Sequence, residues 1–249
     1  AIYMDEAWKK VSINDREKIT IAILDTGVDL DHEDLADSIV DGYDFVNNDT
    51  EADDDYGHGT HVAGIAAAIS DNSVGIAGTA GGIQIMPVKV LDNNGDGDTS
   101  TIIEGIYWAV DNGADIINLS LGRDRYVYLE EYGIIDTYIQ LEKDAIDYAV
   151  SNGVVVIAAT GNDSNHWTEE DGIRNLDGDD DTQSYEMPVG YPAALEGVIG
   201  VGAMDWYPET GFFVADFSNI GEEVDVMAPG VEILSTLPIE LDIDFDQDG

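Results

Sequence analysis

The 249 residues carry 53 Asp and Glu against 9 Lys and Arg, a formal charge of -44, with 44% hydrophobic residues and no cysteine. The apolar share is enough for the core of one α/β domain, while the charge excludes the basic footprint of a nucleic-acid binder and opposes docking on anionic lipid. Disulfides, thiolate metal sites and cysteine nucleophiles are excluded outright.

In chain order, apolar runs rich in β-branched residues alternate with helical patterns. Ile19 to Leu24, Ile83 to Leu91, Ile116 to Leu119, Val154 to Ala159 and Val198 to Ala203 read as buried strands. Between them, Thr60 to Ile69 is an Ala-rich helix, Thr99 to Asn112 a helix opened by a Thr or Ser cap, and Asp136 to Asn152 a helix stopped by Asn-Gly. Strand and helix in alternation predict an α/β fold of three layers, a mostly parallel central sheet with helices on both faces. No run of about 18 apolar residues suggests a membrane span, and no signal-peptide pattern follows Ala1, so the chain reads as a processed or excised piece.

In such sheets, reactive groups gather beyond the carboxyl ends of the strands. The residues there are polar: Asp25, Asp92 to Asp98, Ser120 to Gly122 and Gly161 to Asp163. No G-x-G-x-x-G follows the first strand and no G-x-x-x-x-G-K-[ST] occurs, so a nucleotide cradle has no support.

GHGTHVAG, Gly57 to Gly64, holds two of the four histidines. A helical zinc site wants H-E-x-x-H, and this stretch has neither that spacing nor that Glu. His61, one turn into the helix, suits a packing role. His58 lies between glycines that admit close backbone approach, at a helix start facing the strand ends. With Asp25 in ILDTGVD it forms a carboxylate–imidazole couple, in which the buried acid fixes the tautomer and leaves the second ring nitrogen to take a proton from a nucleophile.

Five motifs in order, ILDTGVD, GHGTHVAG, NLSLG, AATGN and YPAAL...VIGVGA...FSNIG...VDVMAPG, resemble the subtilisin-like serine proteases, closest to the thermitase and subtilisin branch. The resemblance spans nearly the whole chain. It implies a serine endopeptidase that acts through an acyl-enzyme, with Asp25 as orienting carboxylate, His58 as general base and Asn162 as the side-chain donor of the oxyanion hole. It also implies that Ser120, Leu121 and Gly122 form one edge for an extended peptide with Gly95, Asp96 and Gly97 opposite, and that Ala159, Thr160 and Gly161 floor the pocket for the residue before the cut. Asp96 and Asp98 suggest tolerance for basic substrate residues.

The family's nucleophile lies in a G-T-S-M-A-like stretch after A-P-G. Here Ala228-Pro229-Gly230 is followed by VEILSTLPIELDIDFDQDG, and no G-T-S occurs. Neither Ser218 nor Ser235 inherits the role. The expectation is a single peptidase domain over residues 1–249, incomplete at its C-terminal part and inactive as it stands. The alternative is a non-catalytic, calcium-dependent peptide-binding domain. Against the family pattern, two insertions stand out, Arg123 to Tyr138 with four tyrosines (Tyr126, Tyr128, Tyr132, Tyr138), and Ser164 to Met187.

For Ca²⁺, SDNSVGIAG resembles the family's high-affinity loop, which implies Asp34, the Asn72 side chain and the carbonyls of Ser70, Val74 and Ile76 as ligands. DFVNNDTEADD resembles a second calcium loop, implying Asp44, Asn47, Asp49, Glu51 and Asp53. Acidic runs recur at Asp49 to Asp55, Asp92 to Asp98, Asp177 to Asp181 and Asp242 to Asp248. Asp92-x-Asn94-x-Asp96-Gly97 and Asp244-x-Asp246-x-Asp248-Gly249 match only the opening half of an EF-hand loop, and the first has Ile103 where the bidentate Glu belongs. Self-repulsion of this charge weakens as salt shortens the Debye length, so a saline habitat, extensive cation binding or both are expected. Polypeptide substrates are the expected partners, an inhibitory pro-segment is the other candidate, and the expected location is extracellular.

Overall fold

The computed structural model describes residues 4–125, 137–164, 187–207 and 211–239. Most of both insertions, Tyr126, Tyr128 and Tyr132 among them, and the acidic runs at 177–181 and 242–248 lie outside the described residues. In chain order the elements are α1 (Met4–Trp8), α2 (Ile13–Arg16), β1 (Thr20–Asp25), β2 (Tyr43–Asp44), α3 (His58–Ala67), β3 (Gln84–Lys89), α4 (Thr99–Asp111), β4 (Ile116–Leu119), α5 (Thr137–Ser151), β5 (Val155–Ala159), β6 (Val198–Tyr207), β7 (Gly211–Val214) and β8 (Val226–Pro229), with a short 3-10 turn at Ala36–Ser38. The described residues fall into two compact units, one drawn from 1–118, 148–155 and 234–249, the other from 119–147 and 156–233.

In the first unit all six residues of β1 are buried, as a strand covered on both faces requires. It runs parallel to β3, from Thr20 opposite Gln84 to Asp25 opposite Lys89, and parallel to β4, with Ile21 opposite Ile116. β2 adds parallel to β3. Because side chains alternate along a strand, β1 feeds two layers. Ile21 and Ile23 join Ile85 of β3 and Ala63 and Ala67 of α3 in one apolar cluster. Leu24 and Val88 meet α4 instead, where a Cβ at Gly105 would stand 3.4 Å and 3.3 Å from their methyl carbons. α4 buries Ile102, Gly105, Ile106 and Ala109, the i, i+3, i+4, i+7 stripe of an amphipathic helix.

In the second unit β5 and β6 are parallel, with Val156 opposite Val198, and β8 pairs parallel with β6. β7 returns antiparallel, with Trp206 opposite Phe212. The fold is the three-layer α/β arrangement expected, with a mostly parallel sheet. Two of the local expectations are corrected by these elements. The fifth predicted strand runs on to Tyr207, because the hairpin with β7 extends it past the buried part. α4 begins at Thr99 itself, and its N-cap is Asp98 with no side-chain cap bond, so neither Thr99 nor Ser100 caps it.

Candidate active site

β1 delivers Asp25 at its carboxyl end, fully buried. One carboxylate oxygen, Oδ1, accepts the Thr26 N–H at 2.8 Å and lies 2.7 Å from Nδ1 of His58. The other, Oδ2, is buried without a partner among the described residues. Since a carboxylate only accepts, Nδ1 carries the proton and Nε2 is left as the acceptor, the nitrogen that can take a proton from elsewhere. The hydrogen bond that His58 donates to Asp25 holds its pKa above the ordinary value against the opposing pull of burial, with smaller contributions from the charges of Asp25 and Asp54.

His58 is the first residue of α3, two positions earlier than the sequence pattern placed the helix start. The N-cap is Gly57, which has no side chain to close the first turn. The free N–H groups are met from elsewhere in the chain: Gly59 donates to Thr26 Oγ1 at 2.9 Å and Thr60 donates to Asp54 Oδ2 at 2.8 Å. This remote capping satisfies donors that every helix start leaves open. On the far side of the helix, Ser235 Oγ donates to the His61 carbonyl at 2.6 Å and Thr236 Oγ1 to that of Thr60 at 2.7 Å. The Ser235 hydroxyl is thus spent on a helix carbonyl. Ser218 Oγ accepts the Ala203 N–H at 3.0 Å.

Below the couple, Lys89 is 1% exposed. Its ammonium donates to the Thr26 carbonyl and to Asp55 Oδ1 at 2.6 Å, which ties the end of β3 to the turn after β1. No sequence motif assigns a role to Asp54, Thr26 or Lys89. Asp54 looks no different from Asp53 and Asp55 in an acidic run, and a lone lysine in an apolar strand carries no motif.

The second unit contains a cavity of about 220 Å³. Ser120, Leu121, Gly122, Ala159, Thr160, Gly161 and Asn162 line it together, and Arg123, Asp124, Asp163 and Gly190, which the sequence reading did not assign, complete it. Gly161 has φ of 110° and a Cβ there would meet Asn219 Nδ2 at 2.3 Å, so only glycine fits. Asn219, 2% exposed, accepts the Asp163 N–H at 2.8 Å and donates to Asp163 Oδ2 at 3.1 Å, fixing the turn that carries Asn162. The opposite wall is held by Arg123, whose backbone pairs with Tyr191. Its guanidinium lies 2.9 Å from buried Glu142 and stacks 4.9 Å over the Tyr191 ring. Gly95, Asp96 and Gly97 belong to the first unit, in a turn closed by Asp92, whose Oδ1 accepts the N–H groups of Asn94 at 2.8 Å and Asp96 at 3.1 Å. That carboxylate serves its own turn in the manner of an Asx-turn.

Among the described residues no group of three or more His, Asp or Glu is gathered as a metal site. The loop Ser70 to Gly78 nevertheless offers a set of hard oxygens. Asp34 is fully buried and its Oδ1 and Oδ2 accept from Asn72 Nδ2 at 2.6 Å and the Ile76 N–H at 2.8 Å. Ser70 Oγ is buried without a partner among the described residues. In the other loop Asp44 Oδ1 accepts the N–H groups of Val46 and Asn47 at 2.7 Å and 2.8 Å, and its backbone bridges to Asp49. Asp49 Oδ1 accepts the Glu51 N–H at 2.9 Å, and Asp53 turns away to accept from Leu30 at 3.2 Å.

Residues 16–243 match the family model described as the subtilase family. The chain is 42% identical over 235 residues to the "Thermophilic serine proteinase" of Bacillus sp. (strain AK1), covering 94% of this chain and 49% of that protein. It is 38% identical over 237 residues to "Thermitase" of Thermoactinomyces vulgaris, covering 95% and 71%. Among solved structures it resembles a cold adapted subtilisin-like serine proteinase at a TM-score of 0.66 and 29% identity, over 88% of this chain and 65% of that one. The chain thus spans about half the length of the first of these relatives.

Proposed function

Because the chain belongs to the subtilase family, we propose that it serves a serine endopeptidase, with His58 as general base, Asp25 as its orienting acid and Asn162 as the donor to the oxygen that becomes negative in the tetrahedral intermediate. The observation that carries this reading is the 2.7 Å bond between His58 Nδ1 and a fully buried Asp25. A carboxylate held out of water, with one oxygen committed to the ring, fixes the tautomer and stabilises the imidazolium that forms when Nε2 takes the nucleophile's proton. His58 would then return that proton to the leaving amine. The cavity lined by Ser120 to Gly122 and Ala159 to Gly161 is assigned to the substrate side chain before the scissile bond, and polypeptides are the substrate class.

The oxygens of Asp34, the Asn72 amide and the carbonyls of Ser70, Val74 and Ile76 suit Ca²⁺ in kind, and Asp34 is a buried carboxylate with no cationic side chain bonded to it among the described residues. Its oxygens accept from the Asn72 NH₂ and the Ile76 N–H, so the Asn72 amide would have to turn its oxygen inward to hold the ion. Calcium there would supply the positive charge that this carboxylate otherwise goes without. Asp44, Asn47 and Asp49 are assigned the weaker, second site. An extracellular location goes with the same reading. No helix among the described residues is long and apolar enough to cross a membrane.

None of the chain's serines stands in a Gly-Thr-Ser stretch. These 249 residues are therefore expected not to react with a fluorophosphonate probe. A longer form of the protein that includes such a stretch is expected to be labelled at that serine and to lose labelling on His58→Ala. Labelling of the 249-residue chain, or labelling of a longer form that survives His58→Ala, contradicts the assignment. Calcium-dependent binding of extended peptides by every form of the protein, with no labelling of any, would favour the non-catalytic peptide-binding reading instead.

A further inference from the structure

We infer that Asp54 is the positioning residue of His58: its buried carboxylate holds the first turn of α3, and through it the imidazole, against the carboxyl end of β1. This rests on the reading of His58 as general base. Asp54 is 5% exposed. Its Oδ1 accepts from Thr26 Oγ1 at 2.8 Å, the Tyr56 N–H at 3.1 Å and the Gly57 N–H at 2.8 Å. Its Oδ2 accepts from the Thr60 N–H at 2.8 Å and Thr60 Oγ1 at 2.6 Å. The partners flank His58 on both sides in the chain, Gly57 before it and Thr60 after it, so the backbone that carries the ring is held from two directions.

Two of the links extend the reach of the carboxylate. Thr26 Oγ1, while donating to Asp54, accepts the Gly59 N–H at 2.9 Å, and Thr26 is the neighbour of Asp25. Thr60 Oγ1, while donating to Asp54, accepts the Asp29 N–H at 2.9 Å. Both partners of the His58 couple therefore hang on one acid: the turn after β1 through Thr26, and the helix start through Gly57 and Thr60. Every group facing Asp54 is a donor. A carboxylate, with lone pairs on both oxygens, satisfies all of them, whereas an amide would turn an NH₂ against donors at one position. A negative charge at a helix N-terminus is also favoured by the helix dipole.

The test uses the 249-residue chain, labelled with ¹⁵N, and reads the His58 ring by long-range ¹H–¹⁵N correlation through a pH titration, together with amide exchange of Gly57, Gly59 and Thr60. In the unsubstituted chain the Nδ1 proton should resonate at low field. In Asp54→Asn the titration midpoint of His58 should fall, the low-field signal should weaken, and the three amides should exchange about fivefold faster or more, the factor that follows from losing an N-cap. Ser235→Ala removes a bond to the same helix at the His61 carbonyl and should leave the ring signals in place. Should Asp54→Asn not fold, Thr60→Val, which keeps the charge and breaks two hydroxyl bonds, should give a smaller loosening in the same direction. Ring signals and exchange unchanged in the folded variants, or changed equally by Ser235→Ala, overturn the role of Asp54. A low-field proton missing from the unsubstituted chain would instead remove the Asp25–His58 pairing, and with it the reading on which this role depends.

Discussion

Gly59→Ala is expected to destabilise the protein even though alanine is a better helix former than glycine by about 1 kcal/mol. A Cβ at Gly59 would lie 2.0 Å from the Gly27 carbonyl oxygen and 3.1 Å from the Asp25 Cβ. The first distance is more than 1 Å short of ordinary contact, and the obstacle is backbone. Gly27 cannot retreat, because its own Cα already faces the carbonyl oxygens of Asp53 and Ala52, at 2.5 Å and 2.8 Å from where a Cβ would be. The helix start must move instead, and a shift of that size takes the 2.7 Å bond between His58 and Asp25 out of hydrogen-bonding range. Overpacking costs about 1–3 kcal/mol, and a hydrogen bond to a charged group contributes about 1.5–3 kcal/mol, with the lower end appropriate to a partly exposed histidine. Less the helix gain of about 1 kcal/mol, the net loss is about 1.5–3.5 kcal/mol, which at about 2–4 °C per kcal/mol for a chain of this size lowers Tm by about 3–14 °C. Thermal unfolding followed by circular dichroism measures it, with Gly64→Ala as comparison. There the obstacles are the hydroxyl oxygens of Thr236 and Ser235, at 2.1 Å and 2.5 Å, side-chain ends that can turn aside by giving up their bonds to the Thr60 and His61 carbonyls. At about 0.5–1.5 kcal/mol for each bond, less the helix gain of about 1 kcal/mol, the loss should be smaller, about 0–2 kcal/mol. A Gly59→Ala protein that melts at or above the parent refutes the claim that this glycine exists to let two backbones meet.

Three further outcomes follow from the same geometry. The folded-state pKa of His58 is raised, so the stability it contributes is complete below the histidine's unfolded pKa and is lost as pH rises through the folded one. The gap in Tm between the parent and Asp25→Asn should therefore narrow from acid to alkaline pH, and a gap that widens would contradict the pairing. Lys89→Met should lower stability by about 1–3 kcal/mol, the cost of leaving the Thr26 carbonyl without its donor, as read from chemical denaturation. Asp55, half exposed, keeps its hydration in that variant, so a loss beyond this range would mean that the lysine's charge matters more than its hydrogen bonds. With a formal charge of -44, Tm should climb as salt rises from 0.1 M to 1 M, because the Debye length contracts from about 10 Å to about 3 Å, and chelator should lower it. A melting midpoint indifferent to both salt and chelator would sink the idea that cations relieve this surface.

The parts of the molecule legible in sequence are those whose cause is local. β1 reads as buried because every residue from Thr20 to Leu24 is uncharged and most are apolar, and both of its faces are in fact covered. α4 shows its buried stripe at helical spacing. The Asp25–His58 pair is legible because family motifs surround both residues, and the structure brings them to 2.7 Å. The glycine after His58, Gly59, is legible because its small size implies a close neighbour, which is the Gly27 carbonyl. What stayed hidden depends on partners far apart in the chain. The start of α3 lies two residues before the patterned run because Gly57 offers no capping side chain, and the donors of the first turn are met by Thr26, at a sequence separation of 33, and by Asp54. The burial of Lys89 follows from acceptors at Thr26 and Asp55. Glu142 holds Arg123 in the cavity wall across 19 residues, and Asn219 fixes the turn of Asn162 from 56 residues beyond Asp163. The asymmetry has one physical origin. Apolar burial is nondirectional and leaves a periodic trace, whereas a buried polar group needs a specific partner at about 2.9 Å, and nothing in the spacing along the chain says where that partner will come from.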